Sequence, residues 1–377
     1  YKTRGGIFLH MNIQFDAEKK VFKLDTANTS YVIALVDEEN FIGHAYYGAK
    51  ISDTDVSYLM RTAEPPFVPS KNNRDRSSFF DAFPMEYPGN GVGDYRESAV
   101  EVLDDNCHTA VNFCYTGHKI YHGKPALAGM PATFAPEEKC MTLELFAEDP
   151  VLKLKAVFLY SICDDVDAVV RSVQITNEGE KPLHLTKVMS ASIDMDAKDF
   201  QMLTLHGSWA RERQMDLRDI GYGRQSVSSS RGESSHQEHP FVALVSETAT
   251  EEQGEVYSGN FLAQVEKTQF DSLRVMMGIN PKDFCWKLAP GETFVAPEVV
   301  LNYSAAGMGT MTRNFHDLYR NHLIRSPYKD KKRPILINNW EATYFDFNTE
   351  KLLSIAKEAK KCGIEMLVMD DGWFGHR

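Results

Sequence analysis

The sequence predicts a mainly β protein that changes to βαβ grammar in its C-terminal stretch. Three observations carry that expectation. Apolar and polar residues alternate at period two through most of the first 305 residues, as half-buried strands require. The period turns helical between Thr310 and Ile324. After Pro334 a strand, a helix and a second strand follow, with the crossover length of a parallel unit.

Taken in order, Tyr31–Val36 and Phe41–Tyr46 flank Asp37-Glu38-Glu39-Asn40, a hairpin with a polar four-residue turn. From Met141 to Ile193 the alternation is sustained. Leu143 and Leu145 alternate with Thr142 and Glu144, and Leu152, Leu154, Ala156 and Phe158 with Lys153, Lys155 and Val157. A run holding Val169, Arg171, Val173 and Ile175 closes on the turn Asn177–Glu180 and resumes at Leu183-His184-Leu185. Turns spaced by about ten residues mark antiparallel sandwiches. One large β domain is expected, with two stacked sheets as its arrangement.

Inside it, Arg61–Glu97 is rich in proline and glycine and carries Phe67, Phe79, Phe80, Phe83, Tyr87 and Tyr95. Irregular segments this long are functional or disordered, and the aromatics argue against disorder. It is expected to order against a neighbouring subunit or a second domain. The serine-rich stretch Arg224–Gln237 reads as an ordinary loop or flexible rim. Phe315, Leu318, Tyr319 and Leu323 share one face of a helix that stops near Ser326-Pro327. Lys329–Pro334 is a charged connector, read as a solvated linker at a domain boundary. These readings divide the chain into 1–325 and 326–377. Beyond Pro334, Ile335–Trp340 is a strand and Asn348 a helix N-cap candidate. Leu352, Ile355, Ala356 and Ala359 form one helix face, Gly363 stands at its stop, and Ile364–Met369 is a second, buried strand. One such unit cannot cover its own faces, so further strands and helices are expected around it.

A length of 377 residues exceeds one ordinary domain, and 43% hydrophobic residues with 11% aromatics suffice for large cores. The net charge of −12 argues against nucleic acid or an anionic membrane as partner. No apolar run reaches the about 18 residues of a membrane span, and the stretch around Ile7-Phe8-Leu9 lacks the form of a signal peptide. Cys107, Cys114, Cys140, Cys163, Cys285 and Cys362 form no CxxC pair. They read as reduced, mostly buried thiols of a cytoplasmic protein. Asn28-Thr29-Ser30 and Asn302-Tyr303-Ser304 match the glycosylation pattern by chance on this reading. His236 and His239 are followed by Pro240 with no cysteine close by, so no metal site is expected there.

Asp370 and Asp371 end the last strand, ahead of Gly372 and Trp373, and Trp340 ends the strand before it. Acids at the carboxyl end of a parallel strand are where (β/α) enzymes hold polar substrates. Consecutive strand residues point to opposite faces, so both acids reach one pocket only if the chain bends after Met369. Gly372 permits that bend. With Trp340 and Trp373 the pair would cradle a sugar: carboxylates accept from vicinal hydroxyls, and an indole packs on the C–H face of the ring. The same spacing also admits a bare turn, since Asp and Gly are turn residues. A glycosidase pair flanks the bond it cuts, whereas two acids on one strand end approach from the same side. At least one catalytic carboxylate is therefore expected on a later strand, and no catalytic residue is assigned here.

Asn338-Asn339-Trp340-Glu341-Ala342-Thr343-Tyr344-Phe345-Asp346-Phe347, followed by Asp370-Asp371-Gly372-Trp373-Phe374-Gly375, resembles the bacterial family 36 α-galactosidases. The resemblance extends through Tyr58–Pro66, Glu86-Tyr87-Pro88, Ser208–Arg213, Ser234–Gln237 and Ser258–Phe261, nearly the whole chain. It implies an N-terminal β-supersandwich, a central (β/α)8 TIM barrel, a C-terminal β-sandwich and assembly as a homo-oligomer, usually a tetramer. On this basis the chain is expected to hold the supersandwich and the first βαβ unit of the barrel, with the catalytic Asp pair beyond Arg377. The resemblance further implies retaining hydrolysis of terminal α-1,6-galactosides such as melibiose and raffinose through a covalent galactosyl-enzyme, without metal or cofactor. Trp340, Asp370 and Asp371 match residues that line the galactose subsite, and the region around Asp55 matches one that reaches a neighbour's active site. The run from Gly254 to Asn260 is shorter than the family pattern, as in a trimmed hairpin. Two alternatives stay open: a carbohydrate-binding or assembly module without activity, and a galactosyl transferase of the raffinose-synthase type.

Overall fold

The N-terminal alternation produces an antiparallel meander of β1 (Asn12–Asp16), β2 (Val21–Asp25), β3 (Thr29–Val36) and β4 (Phe41–Ala49). The computed structural model describes residues 11–52, 56–60, 80–197, 199–246, 250–255 and 258–375. Asp55, positions 61–79 of the proline-rich segment, and Val256-Tyr257 within the trimmed hairpin lie outside the described residues. Between β3 and β4, Asp37 and Asn40 adopt φ of +65° and +57°, a left-handed conformation that short polar side chains tolerate. β3 is buried along nearly its whole length, which is why its sequence is a continuous apolar run rather than an alternation.

The chain continues through β5 (Val100–Leu103), β6 (Cys114–His122), β7 (Cys140–Asp149), β8 (Leu154–Cys163), β9 (Val166–Asn177) and β10 (Leu183–Asp196). Next come β11 (Gln201–Ser208), β12 (Arg211–Asp219), β13 (Gly223–Ser228), β14 (Glu238–Val245), β15 (Thr250–Glu255) and β16 (Phe261–Lys267). The β region ends with β17 (Ser272–Ile279), β18 (Trp286–Leu288), β19 (Thr293–Val295) and β20 (Val299–Ser304), ahead of helix α1 (Met308–His322). A ten-stranded sheet runs β12-β11-β14-β15-β20-β9-β8-β7-β6, with β19 also on β9. A six-stranded sheet runs β13-β16-β17-β10-β18, with β5 also on β10. The mainly β expectation is met, but among the described residues the β region forms three sheets instead of two, because the strands of the N-terminal meander pair there with no strand of the other sheets.

Register explains which residues make the core. β7 and β8 pair without slip from Cys140↔Cys163 to Asp149↔Leu154, so Leu143, Leu145 and Ala147 face inward with Leu154, Ala156, Phe158 and Tyr160. They join one continuous cluster that also takes in Phe22, Ile33, Leu185, Ile193, Val265 and Val275 from the other two sheets. β12 is exposed along most of its length and carries charges at the outer edge of its sheet, which discourages strand addition. α1 lays Met311, Phe315 and Leu318 on Val166, Ala168, Val170 and Val300, at the three- and four-residue spacing of an amphipathic helix. Among the described residues no helix is long and apolar enough to cross a membrane.

A buried polar cluster ties the three sheets together. Glu86 Oε1 accepts from the hydroxyls of Tyr31 on β3 and Tyr160 on β8, each at 2.6 Å. Its Oε2 lies 2.9 Å from His44 Nδ1 on β4, and Arg171 on β9 closes the ion pair at 2.9 Å. The same guanidinium donates to the carbonyl of Ser192 on β10 at 2.7 Å.

Two sequence expectations in this region are corrected. Gly223–Ser228 is strand β13, not loop; its alternation is carried by serines around the single buried Val227, which hides the period. Phe80, Phe83 and Tyr87 of the irregular segment are buried within the same β unit, not set aside for a neighbouring subunit or second domain. The cause is Arg96, whose guanidinium binds the carbonyls of Phe80 and Phe83 at 2.8 and 2.6 Å and the carboxylates of Asp94 and Asp194.

The chain divides into two compact units, residues 1–323 and 324–377. The second holds β21 (Leu336–Asn338), the one-turn helix α2 (Trp340–Thr343), α3 (Thr349–Lys361) and β22 (Met366–Val368). β21 and β22 are parallel, in the register Leu336↔Met366 to Asn338↔Val368. Asn348 caps α3, accepting from Lys351 N at 2.9 Å, and Gly363 follows it at φ +82°. Trp340 does not end a strand: it opens α2, two residues after β21. Nor is the last strand buried: Met366 is 38% exposed, and Leu367 and Val368 are only half-buried. Two strands and one crossover helix leave a parallel pair short of cover on its faces.

Candidate functional site

Parallel pairing brings the carboxyl ends of β21 and β22 side by side, and two asparagines lock them. Asn338 Nδ2 donates to Asp370 Oδ2 at 2.5 Å, while its Oδ1 accepts from Trp340 N at 2.8 Å. One side chain thus fixes both an acid and the start of α2. Asn339 is buried; its Oδ1 accepts from Asp370 N at 2.8 Å and its Nδ2 donates to Thr343 Oγ1 at 2.9 Å. Its own N–H reaches Val368 O at 3.2 Å.

The bend demanded by the sequence is present. Asp371 N donates to Asp370 Oδ1 at 2.7 Å and Gly372 N to Asp371 Oδ1 at 3.0 Å, while Gly372 adopts φ +95°. A Cβ there would sit 3.2 Å from the Phe347 ring and 3.4 Å from Phe345, so both conformation and space call for glycine. Asp370 is engaged through both oxygens. Asp371 is engaged through one, and among the described residues nothing else bonds its Oδ2. A carboxylate offers about four acceptor positions, so each acid retains capacity for ligand hydroxyls.

Trp340 meets Tyr344 and Phe345 edge to face, at 5.3 and 4.9 Å between ring centroids, an arrangement that sets the plane of its indole. Phe345 also lies against Gly372, which joins the aromatic cluster to the acidic turn. Trp373 follows the acids but is 71% exposed; its ring contact among the described residues is with Phe374, at 5.9 Å. The structure therefore gathers Trp340, Asp370 and Asp371 through Asn338 and Asn339, leaves Trp373 on the turn's outer side, and does not describe Asp55. Sequence reasoning missed the two asparagines as parts of the site. Their signal was position: in a parallel pair the residues ending one strand neighbour those ending the other.

Both acids leave the same strand end, so the arrangement can hold a polyhydroxylated ligand from one side, against an indole. Such a polar cradle at parallel strand ends, preceded by a large antiparallel β domain, is the layout of a glycoside hydrolase. The profile of the glycosyl hydrolase family 36 N-terminal domain matches residues 40–289, and the melibiase profile matches residues 293–377. The chain belongs to glycosyl hydrolase family 36. Alpha-galactosidase AgaA of Geobacillus stearothermophilus is 42% identical over 374 residues, 97% of this chain and 51% of the relative. The crystal structure of the GH36 alpha-galactosidase AgaB from the same organism superposes with a TM-score of 0.92 at 42% identity, covering 97% of this chain and 51% of that one. A variant of AgaA in complex with raffinose superposes with a TM-score of 0.91 at 41% identity, covering 95% and 51%. The chain spans about half the length of the curated relatives it matches.

Proposed function

We propose that this chain is part of an α-galactosidase that hydrolyses terminal α-D-galactosyl groups of melibiose- and raffinose-type sugars with retention, and that its C-terminal unit supplies the galactose-binding wall of a (β/α)8 barrel. The observation that carries this reading is the Asp370-Asp371 turn, locked by Asn338 and Asn339 beside Trp340 at parallel strand ends. The names of the relatives and the raffinose complex support the substrate class. Asp370 and Asp371 accept galactose hydroxyls, Trp340 packs on the C–H face of the ring, and Trp373 borders the opening. The nucleophile and the acid/base then belong to other barrel strands, because a pair that cuts must flank the bond. Asp55 contributes to a neighbour's site in a tetramer. The six free cysteines fit a reducing compartment such as the cytoplasm.

In a protein carrying this chain and a complete barrel, Asp370→Asn and Asp371→Asn are each expected to weaken galactoside binding by about 1.5–3 kcal/mol, about ten- to a hundredfold. Each variant loses a charged acceptor for hydroxyl donors. Steady-state kinetics on a chromogenic α-galactoside check this, and unchanged kinetics in both variants would remove the two acids from the site.

A further inference from the structure

The β unit contains an open cleft of about 580 Å³ that the strand-end site does not use. That volume lies within the about 300–1,000 Å³ of small-molecule sites. Three turns build it: the β16–β17 hairpin, the β12–β13 connection, and the segment running through Asp81, Tyr95 and Arg96. Each is tied down. In the hairpin, Thr268 N donates to Ser272 O at 2.9 Å and Asp271 N to Thr268 O at 3.2 Å. In the connection, Tyr222 donates its hydroxyl to Asp271 Oδ1 at 3.1 Å, with Lys267 Nζ 4.8 Å from its ring centroid. In the segment, Tyr95 projects between Asp94 and Arg96, whose buried side chains are joined at 2.8 Å.

Tyr95 is 84% and Tyr222 71% exposed, so two aromatic rings stand in water on a hydrogen-bonded frame. Between the turns, Gln269 Nε2 reaches Asp81 Oδ2 at 3.5 Å, a contact long enough for a hydroxyl to replace. The charges in the wall argue against the apolar, charge-depleted core of a protein interface. The acids argue against an anionic ligand, since Lys267 is already within 3.7 Å of Asp271. Exposed rings for C–H faces, with a carboxylate and an amide for hydroxyls, suit a neutral polyol.

We propose that this cleft is a second saccharide site, which holds a neutral oligosaccharide against Tyr95 and Tyr222 without cutting it. It lies wholly within residues 1–323 and does not depend on the galactose wall of the C-terminal unit. The test is equilibrium binding of raffinose to the whole chain, by calorimetry and saturation-transfer NMR. Trp340→Ala is included to weaken the strand-end site. The Trp340→Ala chain is expected to keep binding raffinose. Adding Tyr95→Ala and Tyr222→Ala is expected to weaken that binding about tenfold or more, and Phe at both positions to restore most of it. Absence of raffinose binding in the Trp340→Ala chain overturns the proposal, as does unchanged affinity after loss of both rings. If the double alanine variant fails to fold, Asp81→Asn with Gln269→Ala replaces it and must weaken binding likewise. Normal hydrolysis kinetics in the Asp370 and Asp371 variants would defeat the galactose wall and leave this site untouched.

Discussion

Glu86 shows how a single side chain answers opposing forces. Burial raises the cost of its charge, yet the Arg171 guanidinium and the bonds from His44 and Tyr160 hold the carboxyl below its usual range. Burial and the neighbouring carboxylate push the hydroxyls of Tyr31 and Tyr160 far up, so both stay protonated, donating to Glu86 and accepting from Arg171. Glu86→Gln would leave Arg171 buried without its counter-charge, a loss of about 3–5 kcal/mol. A large drop in the urea midpoint is expected; a shift worth under about 1 kcal/mol would mean that the pair is not the main support of Arg171. At this scale the sequence was informative where chemistry and position coincide, as at Asp370, Asp371 and Gly372. It was uninformative about Glu86, and at Asn338 and Asn339 it offered only their place at a strand end. Their long-range partners lie 31 to 85 positions away, and no local pattern encodes which residues those are.

Among the elements, α1 is fixed to the ten-stranded sheet partly by a histidine whose pKa its partners raise. His322 ends the helix with Nε2 at 2.7 Å from Asp165 and Nδ1 at 2.9 Å from the carbonyl of Phe134. Burial opposes the charged ring, but the bond to Asp165 and that carboxylate's charge, with the Phe134 carbonyl, raise its pKa overall. Asp165 is lowered, chiefly by the same bond and further by Lys139. The Cys163 thiol is pushed up by its hydrogen bond with Cys140 and by burial, so it stays neutral. A raised histidine contributes fully below its unfolded pKa of about 6.5 and loses that contribution as pH rises through the folded value. A depressed Asp165 contributes above the unfolded value and fails only as pH falls through the folded one. Stability of the wild-type chain is therefore expected to decline more steeply between pH 6 and 8.5 than that of His322→Gln, measured by urea denaturation across that range. Parallel curves would show that the ring carries no charge in the folded state. Element legibility followed burial: β7 and the first half of β8 alternate because one face is dry, whereas β13 and the half-exposed ends of β21 and β22 give a weak period.

At the scale of the molecule, the division into residues 1–323 and 324–377 sets an expectation about independence. All three antiparallel sheets share one hydrophobic cluster, so a protein ending at Leu323 is expected to keep its strand circular-dichroism signal and melt in a single transition. Two separated transitions, or loss of near-ultraviolet signal with strand content retained, would mean that the sheets are stabilised from outside the unit. The change from antiparallel to parallel grammar was readable because the period itself changes. The three-sheet arrangement was not, since alternation reports which face is dry and not which sheet covers it.

The Glu86 cluster also bears on the order in which the chain assembles. Tyr31 and Arg171 meet across 140 positions, and the closure entropy of so distant a contact delays it. A ten-stranded sheet that closed before the Glu86 segment docked would shut the Arg171 guanidinium away from water without its complement. Such a near-native collapse is penalised until Glu86 arrives, so the charged centre acts as a checkpoint in time.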